Sequence, residues 1–275
     1  MTLVAMPEVV TTARPGGLGA FNVIQIEHAE AIAAGAEASG RPVVLQISEN
    51  TAAYHRSLAP LTIACLRIAA ESPADIVVHL DHATDVRLVE QAVGLGVGSV
   101  MYDASAMEYS ANVASTAEVT RWCHDRAVWV EAELGAVGGK DGVHAPGVRT
   151  DPSEAAEYVA ATDVDALAVA VGSSHAMLKR DATLDNDLIA AIANAVTVPL
   201  VLHGSSGVPD EGIAAAVAHG MVKINIATHL NKAMTAAVRA ALHADADLVD
   251  PREYLGPGRE AVAAEVARLL SLLGA

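Results

Sequence analysis

Eight short, almost wholly apolar runs recur along this chain, each followed by an alanine-rich stretch with apolar residues at helical spacing. The runs are Ala20–Val23, Val43–Ile47, Ile76–Leu80, Ser99–Met101, Val128–Leu134, Ala166–Val171, Leu200–Leu202 and Val222–Ile226. Runs this short, with no polar alternation, read as strands buried on both faces of a parallel sheet. Helical segments between them include Ile26–Ala38, Leu58–Ala70, Asp85–Val93, Glu108–Arg126 and Asp187–Val196, and Asp151-Pro152-Ser153-Glu154 reads as a helix start. Alternation of this kind over about 240 residues is the pattern of a (β/α)8 TIM barrel. An open doubly wound sheet would want a glycine fingerprint after its first strand, whereas Gly16-Gly17-Leu18-Gly19 precedes that strand. Residues 1–275 are therefore expected to form one domain, with a C-terminal tail whose helix spans Arg259–Leu273 and packs on the barrel or a neighbouring subunit.

Composition narrows the function. The formal charge of −16 leaves no positive footprint for nucleic acid or an anionic membrane. No apolar run approaches the roughly 20 residues of a membrane-spanning helix, and Met1–Val10 lacks the pattern of a signal peptide. A soluble, cytoplasmic protein is expected. Cys65 and Cys123 are too few for a disulfide framework or a thiolate metal site and read as buried thiols.

In such a barrel the chemistry sits at the C-terminal ends of the strands. Those ends carry Asn22, Gln46 with Ser48, Asp81 with His82, Asp103, Glu131 with Glu133, and His175. The last two strands finish at His203-Gly204-Ser205-Ser206-Gly207 and Asn225-Ile226-Ala227-Thr228. His82, His175 and His203 come from three different strands and reach one rim, which points to a zinc ion with an open fourth position. Asp103 and Glu133 would be its oxygen ligands or their supports. His28, His55, His79, His124, His219, His229 and His243 read as structural. The loops after strands seven and eight suit a phosphate group held by backbone N–H groups. The glycine-rich stretch Gly135–Gly142 is either a surface turn or a lid over substrate.

Taken together, these stretches resemble the zinc-dependent class II fructose-bisphosphate and tagatose-bisphosphate aldolases. The likeness rests on Ala20-Phe21-Asn22, Gln46-Ile47-Ser48, His79-Leu80-Asp81-His82, Val130–Gly135, Gly172-Ser173-Ser174-His175, Leu202–Gly207 and Lys223–Thr228, in family order along nearly the whole chain. The resemblance implies zinc on His82, His175 and His203, with Asp103 and Glu133 holding the metal in an alternative, buried position. It makes Asp81 the acid that protonates the aldehyde oxygen as the carbon–carbon bond forms, and that removes the proton in cleavage. Gly204, Ser205, Ser206 and Asn225, Ile226, Ala227 and Thr228 would bind the dihydroxyacetone phosphate moiety, with a monovalent cation (Na+ or K+) nearby. Asn22 and Ser48 would line the same pocket. A bound zinc would hold the charge that aldol cleavage leaves beside a carbonyl, a task that other aldolases give to a lysine Schiff base.

The implied reaction is reversible cleavage of fructose 1,6-bisphosphate to dihydroxyacetone phosphate and glyceraldehyde 3-phosphate, in glycolysis, by a homodimer or homotetramer. The chain departs from the family in three places. Its strand-five loop reads Gly138-Gly139-Lys140-Asp141-Gly142, one residue short of the usual glutamate-bearing loop, so Asp141 is the candidate for shuttling the carbon-bound proton. Ala176 replaces the glycine that usually follows the strand-six histidine in the pocket. Ala227 stands where members preferring fructose bisphosphate often carry Asp, and resembles the tagatose branch. Alternatives are a tagatose-1,6-bisphosphate or another dihydroxyacetone-phosphate-dependent aldolase, a metal-dependent barrel hydrolase, which would want His-x-His where this chain has Asn22, and a non-catalytic sugar-phosphate-binding paralogue.

Overall fold

The computed structural model describes residues 4–134, 149–173 and 179–274. Among them, eight strands run as β1 (Leu18–Asn22), β2 (Val43–Ser48), β3 (Ile76–Ala83), β4 (Ser99–Tyr102), β5 (Trp129–Glu133), β6 (Ala166–Ala168), β7 (Leu200–Leu202) and β8 (Met221–Ile226). Each pairs in parallel with the next, and β8 pairs back onto β1, which closes the (β/α)8 barrel. β6 stops three residues before the expected Val171 because its backbone leaves the ladder, where Ala170 N donates to Thr150 Oγ1 at 2.9 Å. β3 runs three residues past Leu80, with a register irregularity against β4 between Leu80 and Ala83.

The helices are α1 (Met6–Ala13), α2 (Ile26–Ser39), α3 (Glu49–His55), α4 (Ala59–Glu71), α5 (Val86–Gly94), α6 (Tyr109–His124), α7 (Pro152–Thr162), α8 (Asn186–Ala195), α9 (Asp210–Ala218), α10 (Thr228–Ala244) and α11 (Pro251–Leu273). Asp151 caps α7 as its sequence suggests, accepting from Ser153 N and Glu154 N. The tail helix α11 begins eight residues before the expected Arg259. Asp250 caps it, accepting from Arg252 N, and Pro251 occupies its first turn, so the start signal lies before Pro257 and not after it.

Two apolar clusters hold the barrel. The larger fills the space between strands and helices, with Phe21, Leu45, Leu80, Val130, Ile224 and the α11 residues Val262, Val266, Leu269 and Leu270. The smaller fills the lower barrel interior with Leu18, Ala20, Val44, Val77, Met101, Trp129, Ala166, Ala168, Val201 and Val222. Met6, Val9, Val10 and Ala13 of α1 join this second cluster, so α1 plugs the N-terminal end of the barrel. Above this apolar tier the inward-facing positions turn polar: Val44 gives way to Gln46 and Ser48, Val77 to His79 and Asp81, Trp129 to Glu131 and Glu133. The strand runs read as continuous apolar segments because their outward faces are apolar too. Their inward faces nonetheless follow the two-residue period of a strand.

Close helix packing generates one prediction. A Cβ on Gly35 of α2 would lie 2.6 Å from Val266 Cγ1, 2.7 Å from Val266 Cβ and 2.8 Å from the Ala263 carbonyl oxygen of α11. Alanine gains about 1 kcal/mol in helix propensity, but overpacking costs about 1–3 kcal/mol, and the Val266 Cβ and Ala263 backbone cannot yield without moving a helix. Gly35→Ala is expected to lower the urea midpoint at unchanged slope; a raised midpoint would show that the helices separate freely.

A second prediction concerns pH. His28 of α2 is buried, and neither ring nitrogen has a hydrogen-bond partner among the described residues. Burial lowers its pKa, outweighing the opposing charge of Glu27. A histidine kept neutral in the folded state stabilises above the unfolded-state pKa near 6.5, and that stability is lost as pH falls below it. Urea melts at pH 7.5 and 5.5 should show a smaller acid loss in His28→Leu than in the wild-type chain; equal losses would assign the acid sensitivity to other groups.

Candidate active site

Strand register brings the polar tier to one height. Asn22 pairs with Gln46, Gln46 with His79, Ser48 with Asp81, and His79 with Ser99. A cleft of about 170 Å3 opens above this tier, lined by Asn22, Ser48, Asn50, Asp81, His82, His203, Gly204, Ser205, Ser206, Asn225, Ala227 and Thr228. Of the sequence-stretch candidates, Ile226 does not reach the cleft, since its side chain packs in the outer core. Asp141, His175 and Ala176 lie outside the described residues, as does the stretch 135–142.

Neighbouring strand residues normally face opposite sides, yet Asp81 and His82 both line the cleft. The backbone explains this. His82 adopts a left-handed conformation with φ +52°, at the point where β3 loses register with β4. For a residue other than glycine this is a strained geometry, of the sort held in place by its surroundings. The hold on the far side is Glu49, whose carboxylate accepts from Thr84 N at 2.6 Å and from Thr84 Oγ1 at 3.0 Å. On the near side, Gln46 Nε2 donates to Asn22 Oδ1 at 2.8 Å, and Asn22 Nδ2 donates to Asp81 Oδ2 at 2.9 Å. Burial alone would raise the Asp81 pKa. Electrostatic attraction from His82, His203 and Lys223, together with the Asn22 amide, holds it below the ordinary carboxylate value.

His82 and His203 meet edge to face across the barrel mouth, with ring centroids 4.6 Å apart and His82 Nε2 2.8 Å from His203 Nδ1. The far nitrogens decide what those near ones are. His82 Nδ1 lies 2.8 Å from Asp103 Oδ2 and His203 Nε2 lies 3.0 Å from Glu131 Oε1. An ionised carboxylate only accepts, so each far nitrogen carries a ring proton, and the two near nitrogens are left facing each other. Asn225 Nδ2 also lies 3.1 Å from His203 Nε2, but its amide oxygen accepts from Lys223 Nζ at 2.8 Å, which leaves Nδ2 as a donor. Nitrogens this close either share one proton or turn their lone pairs together to a metal ion. The donor chemistry therefore fits a metal ion, and the described residues offer two overlapping donor groups for one: Asp81, His82 and His203, or His82, Asp103 and Glu133.

Beneath this pair lies a layer that strand-end reasoning did not assign. Glu131, Lys223 and His79 are fully buried in the barrel interior, with Lys223 Nζ 2.9 Å and His79 Nε2 3.9 Å from Glu131 Oε2. Burial, reinforced by the charge on Lys223, holds the His79 ring well below its ordinary pKa, and Ser99 Oγ lies 2.7 Å from its Nδ1. The signal was present as charged residues one strand period below rim residues: Glu131 below Glu133, and Lys223 below Asn225.

On the other side of the cleft, Gly204 turns at φ +67° into a 3-10 turn, Ser205–Gly207, and Ser205 Oγ donates to the Asn225 carbonyl. The first turn of α10 opens beside it at Ala227 and Thr228 and contains no acidic residue, whereas α9 begins with Asp210 and Glu211. An anion is thus favoured at α10 and disfavoured at α9.

The protein-family model described as fructose-bisphosphate aldolase class-II matches residues 4–275. The chain belongs to this family. Among its relatives, the fructose-bisphosphate aldolase of Geobacillus stearothermophilus is 39% identical over 272 residues, covering 97% of this chain and 95% of that one. That of Staphylococcus epidermidis is 38% identical over 268 residues, covering 95% and 94%. Among solved structures, the YdjI aldolase of Escherichia coli K12 superposes with a TM-score of 0.85 at 28% identity, covering 99% of this chain and 98% of that one. Class II aldolases are metal-dependent as a family, in keeping with the donor groups found here.

Because His82 belongs to both donor groups and His203 to one, their variants should separate. Cobalt(II) titration followed by visible absorption is expected to show no tight site in His82→Ala and a weakened site in His203→Ala. Equal loss in both would leave Asp103 and Glu133 without a role in holding metal.

Proposed function

We propose that this class II aldolase is a zinc enzyme that reversibly cleaves a ketose 1,6-bisphosphate to dihydroxyacetone phosphate and glyceraldehyde 3-phosphate, with fructose 1,6-bisphosphate as substrate. The observation that carries the reading is the pair of facing imidazole nitrogens, His82 Nε2 and His203 Nδ1, beside the buried Asp81 carboxylate and a turn and helix start suited to an anion in the same cleft. His175 is assigned as the third imidazole ligand. When bound, zinc would act as a Lewis acid on the ketose carbonyl and hydroxyl oxygens. Asp81, held ionised, is suited to take the proton from the C4 hydroxyl in cleavage and return it in synthesis. Asn22 aims the Asp81 carboxylate, and Gln46 aims Asn22. Backbone N–H groups around Gly204–Ser206 and at the start of α10 hold the phosphate of the dihydroxyacetone half, with a sodium or potassium ion nearby. Asp141 is assigned the carbon-bound proton.

Among the described residues, Ala227 supports a second reading, tagatose 1,6-bisphosphate as substrate. It lines the cleft where a carboxylate would otherwise face the sugar. The wider assignment is a glycolytic, cytoplasmic homo-oligomer, dimeric or tetrameric.

A coupled assay with fructose and tagatose 1,6-bisphosphates in parallel, each with and without chelator, tests both readings. Chelator-sensitive turnover is expected, and the faster sugar names the epimer; full activity in metal-free protein would overturn the proposal. Asp81→Ala is expected to lose about 10²–10⁴ in kcat even with zinc supplied in excess.

A further inference from the structure

Glu131 and Lys223 are charged, fully buried and one layer beneath the cleft lining, which neither of them joins. An ion pair inside a barrel gains little net stability, since desolvation of both groups offsets their attraction. Hydrophobic residues of similar volume would serve the core as well. What the pair does control is the direction of two hydrogen bonds. Glu131 Oε1 faces His203 Nε2 at 3.0 Å, while its Oε2 faces Lys223 Nζ at 2.9 Å. Lys223 in turn donates to Asn225 Oδ1 at 2.8 Å, which leaves the amide Nδ2 between His203 Nε2, 3.1 Å away, and Asp81 Oδ1, 3.4 Å away; with the Nε2 proton given to Glu131, Asp81 is the acceptor open to it.

We propose that Glu131 and Lys223 are positioning residues that fix His203 in the tautomer presenting Nδ1 to the metal, and fix the Asn225 amide with its donor toward Asp81. This rests on the metal-dependent reading of the site. Glu131 is the acceptor that takes the Nε2 proton. Lys223 is the donor that ensures both ends of the carboxylate must be acceptors. A single glutamine at position 131 breaks this logic. One end of its amide is then an NH2 group, set either against the Lys223 ammonium or against His203 Nε2–H. Satisfying Lys223 turns the NH2 toward His203, which must then accept at Nε2 and carry its proton on Nδ1, facing the metal. Removing Lys223 as well frees the glutamine to turn its oxygen back to His203.

The test is zinc affinity, read by competition with a chromophoric chelator, on wild type, E131Q, E131Q/K223M and E131L/K223M, with thermal melts to confirm folding. E131Q is expected to bind zinc about 10–100-fold more weakly, the usual loss when the partner of a ligand histidine is altered. E131Q/K223M should regain most of that loss, and E131L/K223M, which offers no acceptor, should not. A merely structural role predicts no rescue by a second substitution in the core. If E131Q does not fold, the two charge-free doubles decide alone, since they differ only in the acceptor. Zinc held equally by both doubles, or by E131Q as tightly as by wild type, overturns the proposal while leaving the aldolase reading intact. A wild-type chain that binds no zinc overturns the metal reading and this one together.

Discussion

A closed eight-stranded barrel gives every strand an inward face that cannot reach water, so each residue there must be packed or paired. This constraint orders the molecule from bottom to top. Below, α1 and the small apolar cluster exclude water outright. Above, polar side chains are tied to one another: Gln46 holds Asn22, Asn22 holds Asp81, and Glu131 holds His203. Such a network is costly when incomplete and rigid when complete. Rigidity is what a metal site needs, because its ligands must be aimed before the ion arrives. The catalytic rim is therefore the upper edge of a structure whose lower layers already determine its geometry.

The strain at His82 has a place in the same scheme. A regular strand would send one of the adjacent residues Asp81 and His82 outward, into the apolar shell between strands and helices. The left-handed turn at His82 keeps both inside, and the Glu49–Thr84 contact holds the chain as it leaves. A buried carboxylate and an imidazole shared by both metal-donor groups thus stand side by side on one strand end, at the cost of a local backbone strain of order 1–3 kcal/mol.

Much of this was legible in the sequence, for identifiable reasons. The strand runs stood out because both faces are apolar over most of their length, and the rim residues because polarity appears abruptly at Asp81, Glu133 and His203. The α7 start was readable from Asp151-Pro152 alone. What stayed hidden depends on barrel closure. Glu131 and Lys223 lie on β5 and β8, which share no ladder and meet only across the lumen, so spacing along the chain could not pair them. His79, read as structural, is buried within this same network. The conformation of His82 and the plug formed by α1 likewise follow from tertiary packing, not from local propensity.

The anion cradle has a consequence for how substrate arrives. No lysine or arginine lines the cleft among the described residues, so on the proposed reading a phosphate would be met by backbone dipoles and bound cations, on a chain of formal charge −16. Attraction of this kind acts only at contact range, while the long-range field of the whole molecule repels a dianion. Encounter is then slowest in dilute buffer. Screening within a Debye length of about 8 Å at physiological ionic strength lifts that barrier without weakening the short-range hydrogen bonds. On the proposed reading, ionic strength would speed capture, the reverse of its effect on enzymes that draw phosphates in with exposed basic side chains.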